Sequence, residues 1–113
     1  MTFDSYQVFA WGTGPLLGSG SIDATSYAPK VIEELSETRV VDISIGDSTC
    51  LALTQDCTVY AWGANTMGQC GFGHCNSPIC IPQPIRALHG LPIHQISAGN
   101  SHSMAWTTLP TNR

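Results

Sequence analysis

Apolar and polar residues alternate over short stretches of this chain, a pattern typical of β-strands. The clearest stretch is Thr49–Thr54. If it is a strand, Leu51 and Leu53 lie on one face, and Cys50 and Ala52 lie on the other. The pattern therefore predicts a short strand with apolar side chains on both faces.

A second predicted strand, Thr58–Trp62, follows three residues later and is rich in β-branched and aromatic side chains. The two strands form a predicted β-hairpin, with Gln55, Asp56 and Cys57 as its turn. A three-residue hairpin loop commonly ends in a residue with positive φ, where glycine is least strained. Cys57 occupies this position, so the sequence predicts a slightly strained turn.

Most of the chain occurs twice. The matching segments are 8–12 and 59–63, 29–35 and 82–88, and 40–54 and 93–107. The one difference in length lies in the loop after each Trp-Gly pair, which is two residues shorter in the first copy. A length change confined to a loop indicates that both copies share one backbone.

A repeat of about fifty residues is typical of a propeller, a solenoid or an array. Each copy offers four short predicted strands, which favours a β-propeller with four-stranded blades. Segment 28–37 argues otherwise, because its composition favours a helix. Its copy, 81–90, contains Pro82 and Pro84, which a helix interior does not tolerate. If the backbone is shared, both segments are extended edge strands or loops.

Residues 59–71, Val-Tyr-Ala-Trp-Gly-Ala-Asn-Thr-Met-Gly-Gln-Cys-Gly, resemble the signature of the regulator of chromosome condensation (RCC) repeats. Residues 96–107, Ile-Ser-Ala-Gly-Asn-Ser-His-Ser-Met-Ala-Trp-Thr, match its second half. The first copy is looser: residues 14–18 replace the Asn-x-x-Gly-Gln-Leu-Gly pattern, and Thr49 replaces the usual His. The closing Ser-His-Ser-Met-Ala-Trp-Thr is most similar to the last repeat of the RCC-like domain in HERC-type ubiquitin ligases.

The resemblance implies an all-β fold that forms a seven-bladed propeller in the complete domain, with the repeat out of phase with the blade. Residues 8–35 would supply two outer strands, residues 40–88 a complete blade, and residues 93–107 two inner strands. The chain would then be a partial β-propeller, with about two blades' worth of four-stranded antiparallel sheet and unpaired strands at both ends. We expect either missing blades of a parent protein or a partner chain to cover them.

Four parts follow from the repeat: an N-terminal lead-in (1–7), a first RCC-like repeat (8–57), a second (58–107) and a C-terminal tail (108–113). The resemblance assigns structural signature roles, and no catalytic role, to Trp11, Gly12, Gly46, Trp62, Gly63, Gly68, Gly71, Gly99 and His102.

Composition limits the classes of partner. Only 11% of the residues are charged, against roughly 25% in typical soluble domains, which predicts that part of the surface is covered by something else. The four basic residues are scattered and the net charge is −4, which disfavours nucleic acid and anionic membranes as partners. We find neither a signal peptide pattern nor a membrane-spanning stretch. A cytoplasmic protein with five free thiols is therefore expected.

Cys70, His74, Cys75 and Cys80 are the weak candidates for a metal site. Four such ligands could hold zinc tetrahedrally. Their spacing is not that of a zinc knuckle, however, and the family usually has a buried Leu where Cys70 stands. We therefore expect no metal and no other cofactor.

Two further patterns resemble catalytic or nucleotide-binding motifs. Gly46-Asp47-Ser48 is similar to a nucleophile turn, but Gly99-Asn100-Ser101 occupies the same register in the second copy. A motif copied in each repeat favours a structural turn, with Asp47 or Asn100 bonding nearby backbone. Segment 12–18 is glycine-rich but lacks the Gly-Lys-Ser/Thr of a phosphate loop. It is better interpreted as a divergent loop between blades that carries partner specificity.

Several aromatic residues have both a functional and a structural interpretation. His102 could act as a base or a pH switch, but the resemblance implies a buried histidine that bonds backbone between strands. Trp11 and Trp62 could be interface anchors, but their matching positions favour packing within blades. Trp106 replaces Leu53 and is expected to fill the core between blades.

The leading functional hypothesis is a non-catalytic protein-interaction module, which would dock partners or ubiquitination substrates for a HERC-type ligase whose catalytic domain is not in this chain. The alternative is binding of a small GTPase with guanine-nucleotide exchange, the activity of the family's founding member. Exchange requires a nearly complete propeller face, which two repeats do not provide.

Overall fold

The computed structural model describes residues 7–21, 25–36 and 38–107, which form eight β-strands and three single 3₁₀ turns. The strands are β1 (Phe9–Thr13), β2 (Thr25–Val31), β3 (Val40–Ile45), β4 (Thr49–Thr54), β5 (Val59–Gly63), β6 (Ile79–Pro84), β7 (Ile93–Ala98) and β8 (Ser103–Thr107). The turns are Pro15–Leu17, Glu33–Leu35 and Arg86–Leu88. In these ranges, none of the helical turns is long and apolar enough to cross a membrane. The predicted all-β fold is confirmed.

The strands form three antiparallel sheets in chain order. β1 pairs with β2, β3 to β6 form one four-stranded sheet, and β7 pairs with β8. In the sequence repeat, β1 matches β5 and β2 matches β6, while β3 matches β7 and β4 matches β8. The first pair is therefore the outer half of a blade, the middle sheet is a whole blade, and the last pair is the inner half of another. The predicted offset between repeat and blade is confirmed.

The hydrophobic core lies around β4, the strand between β3 and β5. All six of its residues are buried, because neighbouring strands cover its edges and the adjacent half-blades cover its faces. Leu51 and Leu53 thus lie in the core, as do Cys50 and Ala52 on the other face. Burial on both faces explains why this strand carries apolar residues at successive positions.

Segment 28–37 does not form an α-helix. β2 continues to Val31, and the single 3₁₀ turn Glu33–Leu35 follows, its Leu35 fully buried. The proline-bearing copy has the same arrangement, with β6 followed by a 3₁₀ turn. β6 is the edge strand of its sheet, where proline is tolerated because no neighbour requires its missing N–H. The prediction of extended edge strands or loops is confirmed for the described residues, which exclude Glu37, apart from the single 3₁₀ turn in each copy.

The hairpin between β4 and β5 has the predicted turn. Cys57 has φ 70° and is the only non-glycine residue with positive φ in the described ranges. The N–H of Cys57 donates to the carbonyl of Thr54 at 3.0 Å, and the N–H of Thr54 donates to the carbonyl of Thr58 at 2.9 Å. The Thr54 hydroxyl also donates to the carboxylate of Asp56. This bond is the main reason that the pKa of Asp56 lies below its usual value.

Candidate interaction surfaces

The turns between the inner strands of two neighbouring blades pack directly on each other. The N–H of Gly46 donates to the carbonyl of Thr49, and the N–H of Gly99 donates to the carbonyl of His102, each at 2.8 Å. A Cβ on Gly46 would lie 2.2 Å from the carbonyl oxygen of Gly99. The contact between blades therefore requires glycine at position 46.

This packing supports the structural interpretation of the Gly-Asp-Ser motif. The carbonyl of Ser48 accepts a bond from the N–H of Ala64 at 2.8 Å, which connects the turn to the end of β5. The side chains of Asp47 and Asn100 are exposed and form no hydrogen bond with any described residue. The expectation that they bond nearby backbone is wrong, because backbone groups close both turns by themselves.

Trp62 joins the middle blade to the half-blade before it. Its side chain is 1% exposed, and its Nε1–H donates to the carbonyl of Leu16 at 2.9 Å. Leu16 lies in the 3₁₀ turn after β1, and its Cδ2 would be 2.6 Å from a Cβ on Gly63. The packing role predicted for Trp62 is confirmed.

The matching tryptophan of the first repeat has a different environment. Trp11 is 64% exposed, although it occupies the position in β1 that Trp62 occupies in β5. Trp106, expected to fill the core between blades, is also exposed, whereas the matching Leu53 is buried. Both expectations are wrong for the same reason. In the described residues, β1 has no inner strand beside it and β8 has no outer strand beside it.

His102 is exposed, so the expectation of a buried histidine that bonds backbone between strands is also wrong. The matching Thr49 is buried, and its hydroxyl donates to the carbonyl of Ala64 at 2.7 Å. Ala64 follows directly after β5. No strand matching β5 lies beside β8 among the described residues, which leaves His102 without the corresponding acceptor.

Asn65 organises the loop after β5, a role that its residue type alone did not reveal. Its Nδ2 donates to the carbonyls of His74 at 3.1 Å and Asn76 at 2.9 Å, and its Oδ1 accepts from the N–H of Cys70 at 2.9 Å. The side chain is fully buried, so these bonds fix the loop as one unit. The available signal was its place in the Asn-x-x-Gly signature. Four signature glycines have positive φ: Gly12 within β1, Gly63 at the end of β5, and Gly68 and Gly71 in this loop.

The metal candidates are not brought together. In the described residues, no three His, Cys, Asp or Glu side chains lie close enough to hold a metal ion. Cys70 is buried, Cys75 is exposed and Cys80 is partly exposed. Burial raises the pKa of Cys70 to about 11 and the pKa of Cys50 to about 12, which makes both thiols poor metal ligands at neutral pH. All five cysteines, which lie within the described part of the chain, are unpaired as expected.

The glycine-rich segment 12–18 packs between blades. Its 3₁₀ turn, Pro15–Leu17, is half-buried, and Gly18 is buried. A Cβ on Gly18 would lie 3.1 Å from Ile32 and 3.2 Å from Pro82. The expectation of a loop between blades agrees with this geometry, while its part in partner specificity stays a prediction.

Two open sheet edges carry large exposed apolar side chains: Phe9 and Trp11 on β1, and Met104 and Trp106 on β8. A cavity of about 400 Å³ adjoins β8. Its lining includes Leu51, Val59, Gln69, Ile85, His102 and Met104. The edges, this cavity and the exposed loop between β5 and β6, whose Met67 also lines the cavity, are the candidate interaction surfaces.

The chain is similar to several known proteins over nearly its whole length. It is 38% identical over 108 residues to the human probable E3 ubiquitin-protein ligase HERC6, covering 94% of this chain and 11% of HERC6. It is 39% identical over 104 residues to human HERC2, covering 90% of this chain and 2% of HERC2. It is 37% identical to the Arabidopsis thaliana ultraviolet-B receptor UVR8, covering 89% of this chain and 23% of UVR8. The chain thus spans less than a quarter of the length of each of these relatives.

Solved structures share the fold. The crystal structure of human WBSCR16 superposes with a TM-score of 0.71 at 28% identity, over 88% of this chain and 26% of WBSCR16. Prp20p from Saccharomyces cerevisiae superposes with a TM-score of 0.69 at 28% identity, over 89% of this chain and 24% of Prp20p.

The regulator of chromosome condensation (RCC1) repeat matches residues 7–53 and again residues 56–106. These ranges contain the glycine turns and the Trp62 contact that join one blade to the next. The two repeats, their strand order and their contacts show that the chain belongs to the RCC1 repeat family.

Proposed function

We propose that this chain is a protein-docking segment of a HERC-type ubiquitin ligase and acts in the cytoplasm, where it selects partners or ubiquitination substrates. The observation that carries this proposal is the 38–39% identity to HERC6 and HERC2 over at least 90% of the chain. The signature residues support it, because the glycines and Trp62 build turns and contacts between blades.

The loop between β5 and β6 is the proposed docking element. Its residues from Thr66 to Ser77 are mostly exposed, and Met67 projects as a large exposed apolar side chain. The bonds of Asn65 hold this loop in one conformation, so a partner would meet a preformed surface. Exposed loops on a rigid scaffold commonly carry specificity.

Proximity labelling in cells tests this proposal. The chain is compared with Met67→Asp, which places a charge on the proposed surface, and with Val41→Asp, which places one at an exposed position on β3. We expect proteins that are labelled by the wild type and the Val41 variant and lost with the Met67 variant. Identical sets of labelled proteins for all three chains would contradict docking through this loop.

A second measurement tests the connection to ubiquitination. If the labelled proteins are substrates of a HERC-type ligase, excess chain should compete with that ligase and lower their ubiquitination. The Met67→Asp chain should not compete. Unchanged ubiquitination in the presence of the wild-type chain would contradict the ligase assignment while leaving docking intact.

Binding of a small GTPase, without the guanine-nucleotide exchange of a complete propeller, is the second candidate function. The similarity to Prp20p favours it, because the structure of that protein was described together with its binding to Gsp1p and histones. The chain matches only 24% of Prp20p, so we propose binding without exchange. Release of a fluorescent nucleotide from a small GTPase is the discriminating assay, and acceleration by this chain alone would favour exchange.

A further inference from the structure

The two open ends of this chain are complementary to each other. Within the described residues, β1 and β2 are an outer strand pair without inner strands, and β7 and β8 are an inner strand pair without outer strands. In the middle blade, the inner and outer strand pairs are joined by the pairing of β4 with β5. Each end pair lacks the equivalent pairing. Among the described strands, each end pair therefore has the kind of strands that the other end pair lacks.

The β4–β5 register shows how the ends would pair. Within the middle blade, Cys50 lies opposite Trp62 and Leu51 lies opposite Ala61. β8 matches β4 and β1 matches β5 in the repeat. If the ends paired in the same register, Ser103 would lie opposite Trp11 and Met104 would lie opposite Ala10.

Exposure identifies the surfaces that have lost a neighbour. Leu51 is 1% exposed, whereas the matching Met104 is 58% exposed. Trp62 is 1% exposed, whereas the matching Trp11 is 64% exposed. Each pair occupies one position of the shared backbone, so the difference reports the absent strand rather than the residue type. Pairing of the ends would bury both Trp11 and Met104, on opposite faces of the completed blade.

The cavity beside β8 lies where Trp11 would enter. Trp62 donates its Nε1–H to the carbonyl of Leu16, two residues before Gly18. The matching carbonyl in the second repeat belongs to Gln69, two residues before Gly71, and Gln69 lines the 400 Å³ cavity. A tryptophan at the position of Trp11 would therefore find both an apolar space and a hydrogen-bond acceptor.

A second contact carries over in the same way. Gly18 and Ile32 lie against Pro82 of the next blade, with 3.2 Å between a Cβ on Gly18 and the Pro82 ring. The matching pair, Gly71 and Ile85, borders the cavity. The residue that matches Pro82 is Pro29, which lies on β2 beside β1. One outer strand pair thus supplies both the tryptophan and the proline.

Neither end has the features that keep edge strands apart. Natural edge strands are commonly protected by charged residues or by proline. β1 reads Phe-Ala-Trp-Gly-Thr and β8 reads Ser-Met-Ala-Trp-Thr, with no charge in either. The low charge content of the whole chain agrees with surfaces that are covered in the working state.

We propose that copies of this chain associate head to tail, with β1 of one copy pairing alongside β8 of the next to complete a four-stranded blade. The occupant of the β8 cavity is Trp11 of the second copy. Because the two surfaces differ, each added copy leaves one open end of each kind, and association continues beyond the dimer. This goes beyond the proposed docking function, which uses the exposed part of the β5–β6 loop, although Met67 and Gln69 of that loop also line the cavity that Trp11 would occupy.

Sedimentation velocity over a range of concentrations tests the proposal with two variants and two controls. Trp11→Ala removes the inserted side chain, and Met104→Glu places a charge on the receiving edge. Both positions are exposed in the single chain, so neither change should impair its folding. The controls are Tyr27→Ala, an exposed aromatic on β2, and Ile45→Glu, an exposed apolar residue on β3.

We expect the average mass of the wild type and both controls to rise with concentration to more than twice the 12.1 kDa of the monomer. Each interface variant alone should stay at the monomer mass. An equimolar mixture of the two should form dimers and stop there, because one chain retains a functional β8 surface and the other a functional β1 surface.

A wild type that stays at 12.1 kDa at every concentration would overturn the proposal. A mixture of the two variants that stays monomeric would also overturn it. Association of the single variants as strong as that of the wild type would show that copies meet through another surface.

Discussion

At the scale of single residues, Cys57 shows how a turn can tolerate an unsuitable side chain. The hairpin between β4 and β5 requires positive φ at its third turn residue, and Cys57 adopts φ 70°. A residue with a Cβ is strained in this region because the Cβ approaches the following carbonyl oxygen. The buried strands on both sides of the turn hold it there nonetheless.

Cys57→Gly should therefore stabilise the fold. The substitution relieves the strain at positive φ but adds the entropy cost of ordering a glycine. The free energy of unfolding should therefore rise by about 0.5–1 kcal/mol. The melting temperature should rise by roughly 2–5 °C. Cys57→Ala is the matched control, because it removes the thiol but keeps the Cβ and the strain. Equal melting temperatures for the two variants would show that positive φ is not the source of the strain.

The buried thiols of Cys50 and Cys70 should make the fold less stable at alkaline pH. Burial raises the pKa of Cys50 from 9.0 to about 12 and that of Cys70 from 9.0 to about 11. Above pH 9 the unfolded chain releases these protons while the folded chain retains them, so rising pH favours unfolding. Their stabilising contribution is complete below pH 9 and is lost progressively above it.

Urea denaturation at several pH values above neutrality measures this effect. Cys50→Ala should lower stability at neutral pH through lost packing, but its stability should fall less steeply above pH 9. Cys75→Ala, at an exposed thiol, should follow the wild type. If all three chains have the same slope, the Cys50 thiol does not contribute to the alkaline loss.

At the scale of elements, the turns add close backbone contacts between blades to the packing of β3 and β4 against β7. The turns at Gly46 and Gly99 touch through backbone atoms, and no side chain fits between them. The amide of Ala98 also donates to the hydroxyl of Ser44 at 2.9 Å. These short contacts hold the two neighbouring turns against each other.

Gly46→Ala and Gly99→Ala should therefore differ, although both glycines occupy the same position of the repeat. A Cβ at Gly46 would meet the Gly99 carbonyl oxygen, whereas a Cβ at Gly99 would meet only the His102 ring, at 2.8 Å. The exposed ring can rotate away and the backbone cannot. We expect a cost of about 2–3 kcal/mol at position 46 and under about 1 kcal/mol at position 99. Chemical denaturation measures both, and equal costs would contradict the assigned contact.

At the scale of the whole molecule, the fold is one blade between two halves. In the part of the chain that the structure describes, the middle sheet has neighbours on both sides, while each end pair has a neighbour on one side only. Stability should therefore vary along the chain, because locally exposed backbone opens more readily than a buried core.

Hydrogen exchange at low concentration, where copies do not associate, should show this gradient. Segments 8–12 and 59–63 have nearly the same sequence and therefore similar intrinsic exchange rates. We expect β5 to exchange by global unfolding and β1 to exchange many times faster through local opening. Equal protection of β1 and β5 would contradict a half-blade at the N-terminal end.

The repeat made much of this architecture predictable. Two copies of one pattern imply one backbone, so the prolines of β6 excluded a helix for residues 28–37. The hairpin turn at Cys57 and the offset between repeat and blade also followed from the sequence. These features depend on local geometry and on the order of elements, both of which sequence patterns encode.

The environments of Trp11, His102 and Trp106 were decided only by the tertiary structure. Each occupies a signature or matching position whose counterpart in the middle blade is buried, yet each is exposed. The role of Asn65 also depends on how the loop after β5 folds around its side chain. The sequence determines which position of the blade a residue occupies, and burial there depends on whether the neighbouring strand is present, because a residue's exposure is a property of its partners in space.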